Sequence, residues 1–212
     1  MNWARHERQE LADLFGAVGP EAPTLNDGWT TRDLAAHLVV RERRPDAAAG
    51  ILVPALAAYG ENVRLQVAGQ PWDDLVALVR SGPPPWSPTA LEGVDRLVNT
   101  VEFFVHHEDV RRAAAGWEPR PLDGELEHEL WRRLRPMCRL LARKAPVGLV
   151  LRRSNGEEVT ARRPAADGTT VTVTGPASEL LLFVYGRQAH SRVEITAPEE
   201  VAARLRAARL GL

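Results

Sequence analysis

Lysine and cysteine are almost missing from this sequence. Lys144 is the only lysine, Cys138 is the only cysteine, and aromatic residues make up just 6% of the 212 positions. A single thiol excludes an internal disulfide and any zinc site built from several cysteines, and it suits a reducing compartment. No run of roughly 18 apolar residues occurs, so no segment reads as a membrane span. The first residues, Met1-Asn2-Trp3-Ala4-Arg5-His6-Glu7, are charged from the start and lead into no apolar signal core. The expectation is a cytoplasmic protein with no membrane partner. Surplus positive charge is lacking too, since the formal net charge is −1. Without a basic field to hold a polyanion, nucleic acid is not an expected partner. Repeats and low-complexity tracts are also absent.

What is present is ordinary for a folded chain, with 44% hydrophobic and 26% charged residues. That length can bury the core of one large domain or two small ones. Arginine carries nearly all the positive charge and alanine is frequent, a composition of high-GC genomes. Two textures meet near residue 145: helical periodicity before it, short alternating runs and turn signals after it. The expected fold class is α+β, with a helical bundle over 1–144 and a smaller α+β domain over 145–212.

Helix signals punctuate the first part. Asn2 is placed to cap a helix reaching about Phe15, with Trp3, Leu11, Leu14 and Phe15 on one face. Gly19-Pro20 and Pro23 break it. Thr30 and Asp33 resemble a capping box for a second helix that carries Leu34, His37, Leu38 and Arg41 and stops before Pro45. Gly50 to Val67 reads as helical after Pro54. Pro71 opens a short helix through Arg80, closed by Gly82. Pro83-Pro84-Pro85-Trp86-Ser87-Pro88 reads as a stiff, extended connector. A long helix from about Thr89 to Ala115 follows. Asp123 then caps a last one to about Lys144, with a bend expected at Pro136. In the second part, Val147–Arg153 and Glu158–Arg163 flank Asn155-Gly156, a hairpin signal. Thr169–Thr174 and Arg192–Thr196 read as strands, and helices follow Pro176 and Pro198.

The chemistry is concentrated in Val101-Glu102-Phe103-Phe104-Val105-His106-His107-Glu108-Asp109. Glu102 and His106 are four apart on a helix, so both side chains reach one point. Their large apolar neighbours imply burial, where an unpartnered carboxylate and imidazole cost several kcal/mol. A cation removes that cost. His37, in the apolar run Leu34–Val40, can face into the bundle as a third ligand. Two histidines and one carboxylate leave a coordination position open for water or substrate. The competing reading is an ordinary helical ion pair, since the same spacing recurs at His6/Glu10 and Asp33/His37. His107 points about 100° away from His106, either supporting the ligands or lying at the surface. Asp109 either orients a ring or is solvated.

These two segments carry a resemblance. Trp29-Thr30-Thr31-Arg32-Asp33-Leu34-Ala35-Ala36-His37-Leu38 resembles a helix motif of the DinB-like metalloenzymes. Their mycothiol-dependent maleylpyruvate isomerase branch is the nearest. The segment from Val101 to Asp109 is similar to that branch's second motif, a glutamate four residues before a histidine. The resemblance implies an up-and-down four-helix bundle with a sterol-carrier-like C-terminal domain. It implies His37, Glu102 and His106 as ligands of a divalent metal of the zinc type, and mycothiol as a thiol cofactor. Leu180 to Arg187 is similar to a segment of the family's second domain, in which an arginine serves activity. That implies a catalytic role for Arg187, against the alternative of an arginine at a helix C-terminus.

The implied function is activation of a low-molecular-weight thiol by the metal, for S-transfer to an electrophile or for cis–trans isomerisation. The expected partners are therefore that thiol and an electrophilic small molecule, with monomer or homodimer left open. The alternatives are a non-catalytic metal or small-molecule binding protein on the same scaffold, and a metal-dependent hydrolase. Glu108 is the nearest candidate base for the latter, though it faces elsewhere on the helix. Trp29, Trp72, Trp86 and Trp117 either line a pocket mouth or pack in the core. Cys138 reads as an inert small hydrophobe.

Overall fold

The computed structural model describes residues 1–48, 50, 53–164 and 168–211. Among the described residues, helices alternate with turns up to the middle of the chain, and a four-stranded sheet follows. The fold is therefore mixed α and β. The chain divides into two compact units, Met1–Glu118 and Pro119–Leu212.

The first unit holds α1 (Trp3–Val18), α2 (Thr31–Arg43), the short α3 (Pro45–Ala48), α4 (Ala57–Ala68), α5 (Trp72–Ser81) and α6 (Glu92–Ala113). Sequence explains the starts. The Asn2 side chain accepts from the Arg5 backbone N–H at 3.1 Å, satisfying a donor that the helix leaves open. At α2, Asp33 accepts from the Thr30 backbone N–H at 3.0 Å, the expected capping box. The helix α1 buries Ala4, Leu11, Ala12 and Phe15, a stripe at three- and four-residue spacing, and packs on α5 and α6. The core joins Leu11 and Phe15 to Leu34, Leu38, Leu75 and Phe103, all essentially fully buried. Removing one such leucine to alanine costs about 2–5 kcal/mol.

One connector differs from expectation. Pro83 to Pro88 is not a stiff extended rod. Ser87 donates to the Pro84 carbonyl at 2.9 Å and Pro88–Ala90 forms a 3-10 turn. Proline fixes φ near the turn value and needs no donor there, so a proline-rich segment serves a turn as well as a rod. The stretch after Pro54 is helical as expected, in α4; Ile51 and Leu52, ahead of it, lie outside the described residues.

The second unit holds α7 (Gly124–Leu141), β1 (Gly148–Arg153), β2 (Glu158–Arg162), β3 (Thr170–Gly175), α8 (Ala177–Val184), β4 (Glu194–Thr196) and α9 (Glu199–Arg206). Asp123 caps α7 through the Glu125 N–H at 2.7 Å, and Pro136 lies inside that helix. The sequence reading gives α7 to the bundle, whereas here it packs on β2 and α8. The sheet order is β2-β1-β3-β4. The hairpin β1–β2 is antiparallel and turns at Gly156, whose φ of +91° favours glycine. Strand β3 then lies parallel to β1, pairing Leu149 with Val171 and Leu151 with Val173. These four are fully buried and alternate along their strands, giving one apolar face.

Candidate metal centre

Helix α2 is buried almost all round: Leu34, Ala35, Ala36, Leu38, Val39 and Val40 are core residues. Its one polar stripe runs Asp33, His37, Arg41 at four-residue spacing. Helix α6 carries a matching stripe, Asp95, Asn99, Glu102, His106 and Asp109, at alternating steps of four and three. The two stripes face each other, and the site lies between them.

His37, Glu102 and His106 each offer one donor atom, and these atoms lie within 4.8 Å of one another. Glu102 Oε1 is 3.2 Å from His106 Nε2 and 3.5 Å from His37 Nε2. The two imidazoles meet edge to face, with centroids 5.5 Å apart. All three side chains are partly exposed, so the cluster is reachable from solvent. Arg41 Nε sits 3.3 Å from the same carboxylate oxygen.

Asp109 settles its own alternative. It is fully buried, and its Oδ2 lies 3.0 Å from His106 Nδ1. A carboxylate there accepts a proton from Nδ1, and Nε2 is the ring nitrogen aimed at Glu102. Asn26 Nδ2, 3.3 Å away, donates to the same Asp109 oxygen. An Nε2 lone pair facing a carboxylate oxygen is two acceptors in contact, and only a proton or a cation relieves that. Burial by itself would lower the His106 pKa, but Asp109 and Glu102 outweigh it and push it up to about 9. The same negative surroundings favour a bound cation. For Glu102, burial opposes the charge, yet its contacts with His106 and His37 hold it well below the usual carboxylate range. Burial lowers the His37 pKa, which favours the neutral ring that a ligand needs. The donor set therefore fits a divalent cation: one carboxylate, one neutral imidazole and one oriented imidazole.

Within the first unit, His107 and Glu108 have partners other than these three side chains. His107 is buried against Glu7 of α1, with Nδ1 3.1 Å from Oε2, so the surface alternative does not hold. Residues a hundred degrees apart on one helix face different partners. Glu108 is fully buried and pairs with Arg111 and Arg112, which leaves it unsuited to act as a base. In the second unit, Arg187 donates to the Tyr185 carbonyl at 2.6 Å, at the end of α8. Of the tryptophans, Trp29 lies 5.3 Å from the His37 ring at a tilt of 53°, Trp72 packs on Phe15 and Trp86 is exposed. Cys138 is buried, and burial raises its thiol pKa.

Sequence comparison is silent: no protein-family model matches the chain, and neither does any curated protein. Solved structures do match. The fold is similar to that of a mycothiol-dependent maleylpyruvate isomerase. The match has a TM-score of 0.61 at 16% identity and covers 93% of this chain and 92% of that one. A histidine-to-alanine mutant of such an isomerase matches with a TM-score of 0.54 over the same shares. At that identity the likeness to the isomerase is one of fold. No helix among the described residues is long and apolar enough to cross a membrane.

The network behind Glu102 is what sequence reading misses. Arg41 bonds Asn99, Asn99 donates to Asp95 at 2.7 Å and to Glu42 at 3.1 Å, and Arg8 pairs with both acids. The signal was available in the four-three spacing of polar residues along α6. Arg8 and Glu42 join from other helices and gave none.

Proposed function

We propose that the protein is a metal-dependent enzyme in which His37, Glu102 and His106 hold one divalent ion of the zinc type, and that a low-molecular-weight thiol such as mycothiol is its cosubstrate. The convergence of three donor atoms within 4.8 Å from two helices carries the reading. The fold shared with the isomerase supports the thiol. Three protein ligands leave one position open, the pattern of a catalytic site.

A bound ion would supply a Lewis acid that lowers the pKa of the thiol near it, delivering thiolate at neutral pH. The chain's own residues set the conditions. Asp109 fixes the His106 ring so that Nε2 alone faces the site. Trp29 bounds the His37 ring on one side. Arg41 steadies the Glu102 carboxylate from the other. The reaction is S-transfer to an electrophile or thiol-assisted cis–trans isomerisation, and both need the thiolate.

Two measurements test this. Elemental analysis of protein purified with zinc should find about one ion per chain, and far less in His37→Ala. Conjugation of mycothiol to a bimane halide should depend on that zinc. Full conjugation by a zinc-free His106→Ala variant would overturn the mechanism.

A further inference from the structure

A cavity of about 340 Å³ opens beside His37, between α2 and the α3–α4 segment. Ligand pockets run from roughly 300 to 1,000 Å³, so this one suits a small molecule. Its walls include Val40, Ala47 and Ala57, with Trp29 and the His37 ring at one end and Arg64 at the other. Gly60 closes the apolar wall at backbone distance: a Cβ there would lie 2.9 Å from the Ala47 carbonyl oxygen.

Arg64 is the one guanidinium among the described lining residues, and it is fully engaged. Its Nη1 donates to Asp33 at 2.7 Å, while Nε and Nη2 donate to the two oxygens of Glu61 at 2.9 and 2.6 Å. Its side chain is 9% exposed and lies over the Trp29 ring, 5.0 Å from the centroid. Two carboxylates on one cation leave a local charge of −1. A carboxylate ligand entering here would lose its hydration, find no unpaired guanidinium among the described lining residues and meet that negative charge. An aromatic or aliphatic group would instead replace water on apolar walls and stack on Trp29.

We propose that this cavity is the electrophile subsite and that it selects small, uncharged, apolar substrates over carboxylates. The proposal rests on the thiol-dependent reading above, in which the thiol takes the open metal position, so that position is not an anchor for a substrate carboxylate. In the conjugation the thiol sulfur attacks an electrophilic carbon. A C–S bond forms, the C–halogen bond breaks, halide leaves with its electron pair, and the thiol proton passes to buffer.

A pair of near-isosteric probes tests it. Binding of 4-nitrotoluene and 4-methylbenzoate to the full-length protein is measured by calorimetry. Turnover of 4-nitrobenzyl chloride and 4-(chloromethyl)benzoate with mycothiol is measured on the zinc form. The neutral member of each pair should be favoured about tenfold or more. Glu61→Gln should narrow that preference about three- to fivefold, by improving the anion. Ala57→Phe, at the exposed first turn of α4, should block 4-nitrotoluene, with zinc content reporting that the fold persists. Equal or better binding of the carboxylate, no binding of either probe, or an unchanged ratio in Glu61→Gln would each overturn the subsite. If the neutral preference in binding holds but no conjugation occurs, the subsite stands and the thiol-dependent reading fails. If conjugation occurs but favours the carboxylate, that reading stands and the subsite falls.

Discussion

His106 and His107 are neighbours on one helix, each within about hydrogen-bond reach of a carboxylate, yet they sit in different kinds of place. His106 shares Glu102 with a second imidazole and is turned by Asp109. His107 meets Glu7, deep between α1 and α6. The first arrangement crowds acceptors around one reachable point and asks for a cation. The second is a buried contact that ties two helices together. A carboxylate–histidine contact alone therefore does not argue for a metal; convergence and access do, and they carry the proposal.

The largest effect that would break the comparison is on metal content. His106→Ala should drop bound zinc from about one per chain to near zero, whereas His107→Ala should keep it. Elemental analysis of both variants, each with its helical circular dichroism recorded, decides this. Equal loss in the two would erase the distinction. Next in size, Asp109→Asn keeps every ligand but loses the carboxylate that orients His106. Zinc affinity should fall about 10- to 100-fold in chelator competition.

A second readout is stability. His107→Ala should destabilise the zinc-free protein by about 1–3 kcal/mol in urea melts, because the buried Glu7 carboxylate loses a hydrogen-bond partner. His106→Ala should cost a similar amount there, because the fully buried Asp109 carboxylate loses its His106 contact, so the two variants separate by metal content and not by stability. The smallest effect concerns Asp33, which lies one turn before His37 on α2. Burial would raise its pKa, but Arg64 and Thr30 outweigh that and hold it below 3.8. A depressed acid contributes stability that is complete above its unfolded value and is lost as pH falls through the folded one. The stability gap between wild type and Asp33→Asn should therefore be largest above about pH 4 and shrink below it. A gap that persisted unchanged to pH 2 would mean that the charge of Asp33 contributes nothing.

Much of this was legible in the residues. Asn2, the Thr30–Asp33 box, Gly82, Asp123 and Asn155-Gly156 mark element ends by local chemistry, and the structure places ends there or within a few residues. The Pro83–Pro88 segment was misread because proline restricts φ without choosing between a turn and an extended path. Asp109 was ambiguous because a carboxylate three residues past a histidine is oriented or solvated according to what covers it, and covering is a tertiary matter.

By itself, then, the sequence determined the helix and strand boundaries and the two polar stripes. It also determined that Glu102 and His106 share a face, since backbone geometry and four-residue spacing act over one turn. Only the tertiary structure decided that His37 of α2 meets them, that His107 turns to Glu7, and that Arg64 is neutralised beside the cavity. Those contacts join residues 31 to 100 positions apart, and packing of whole helices, not any local pattern, sets which side chains face each other across such gaps.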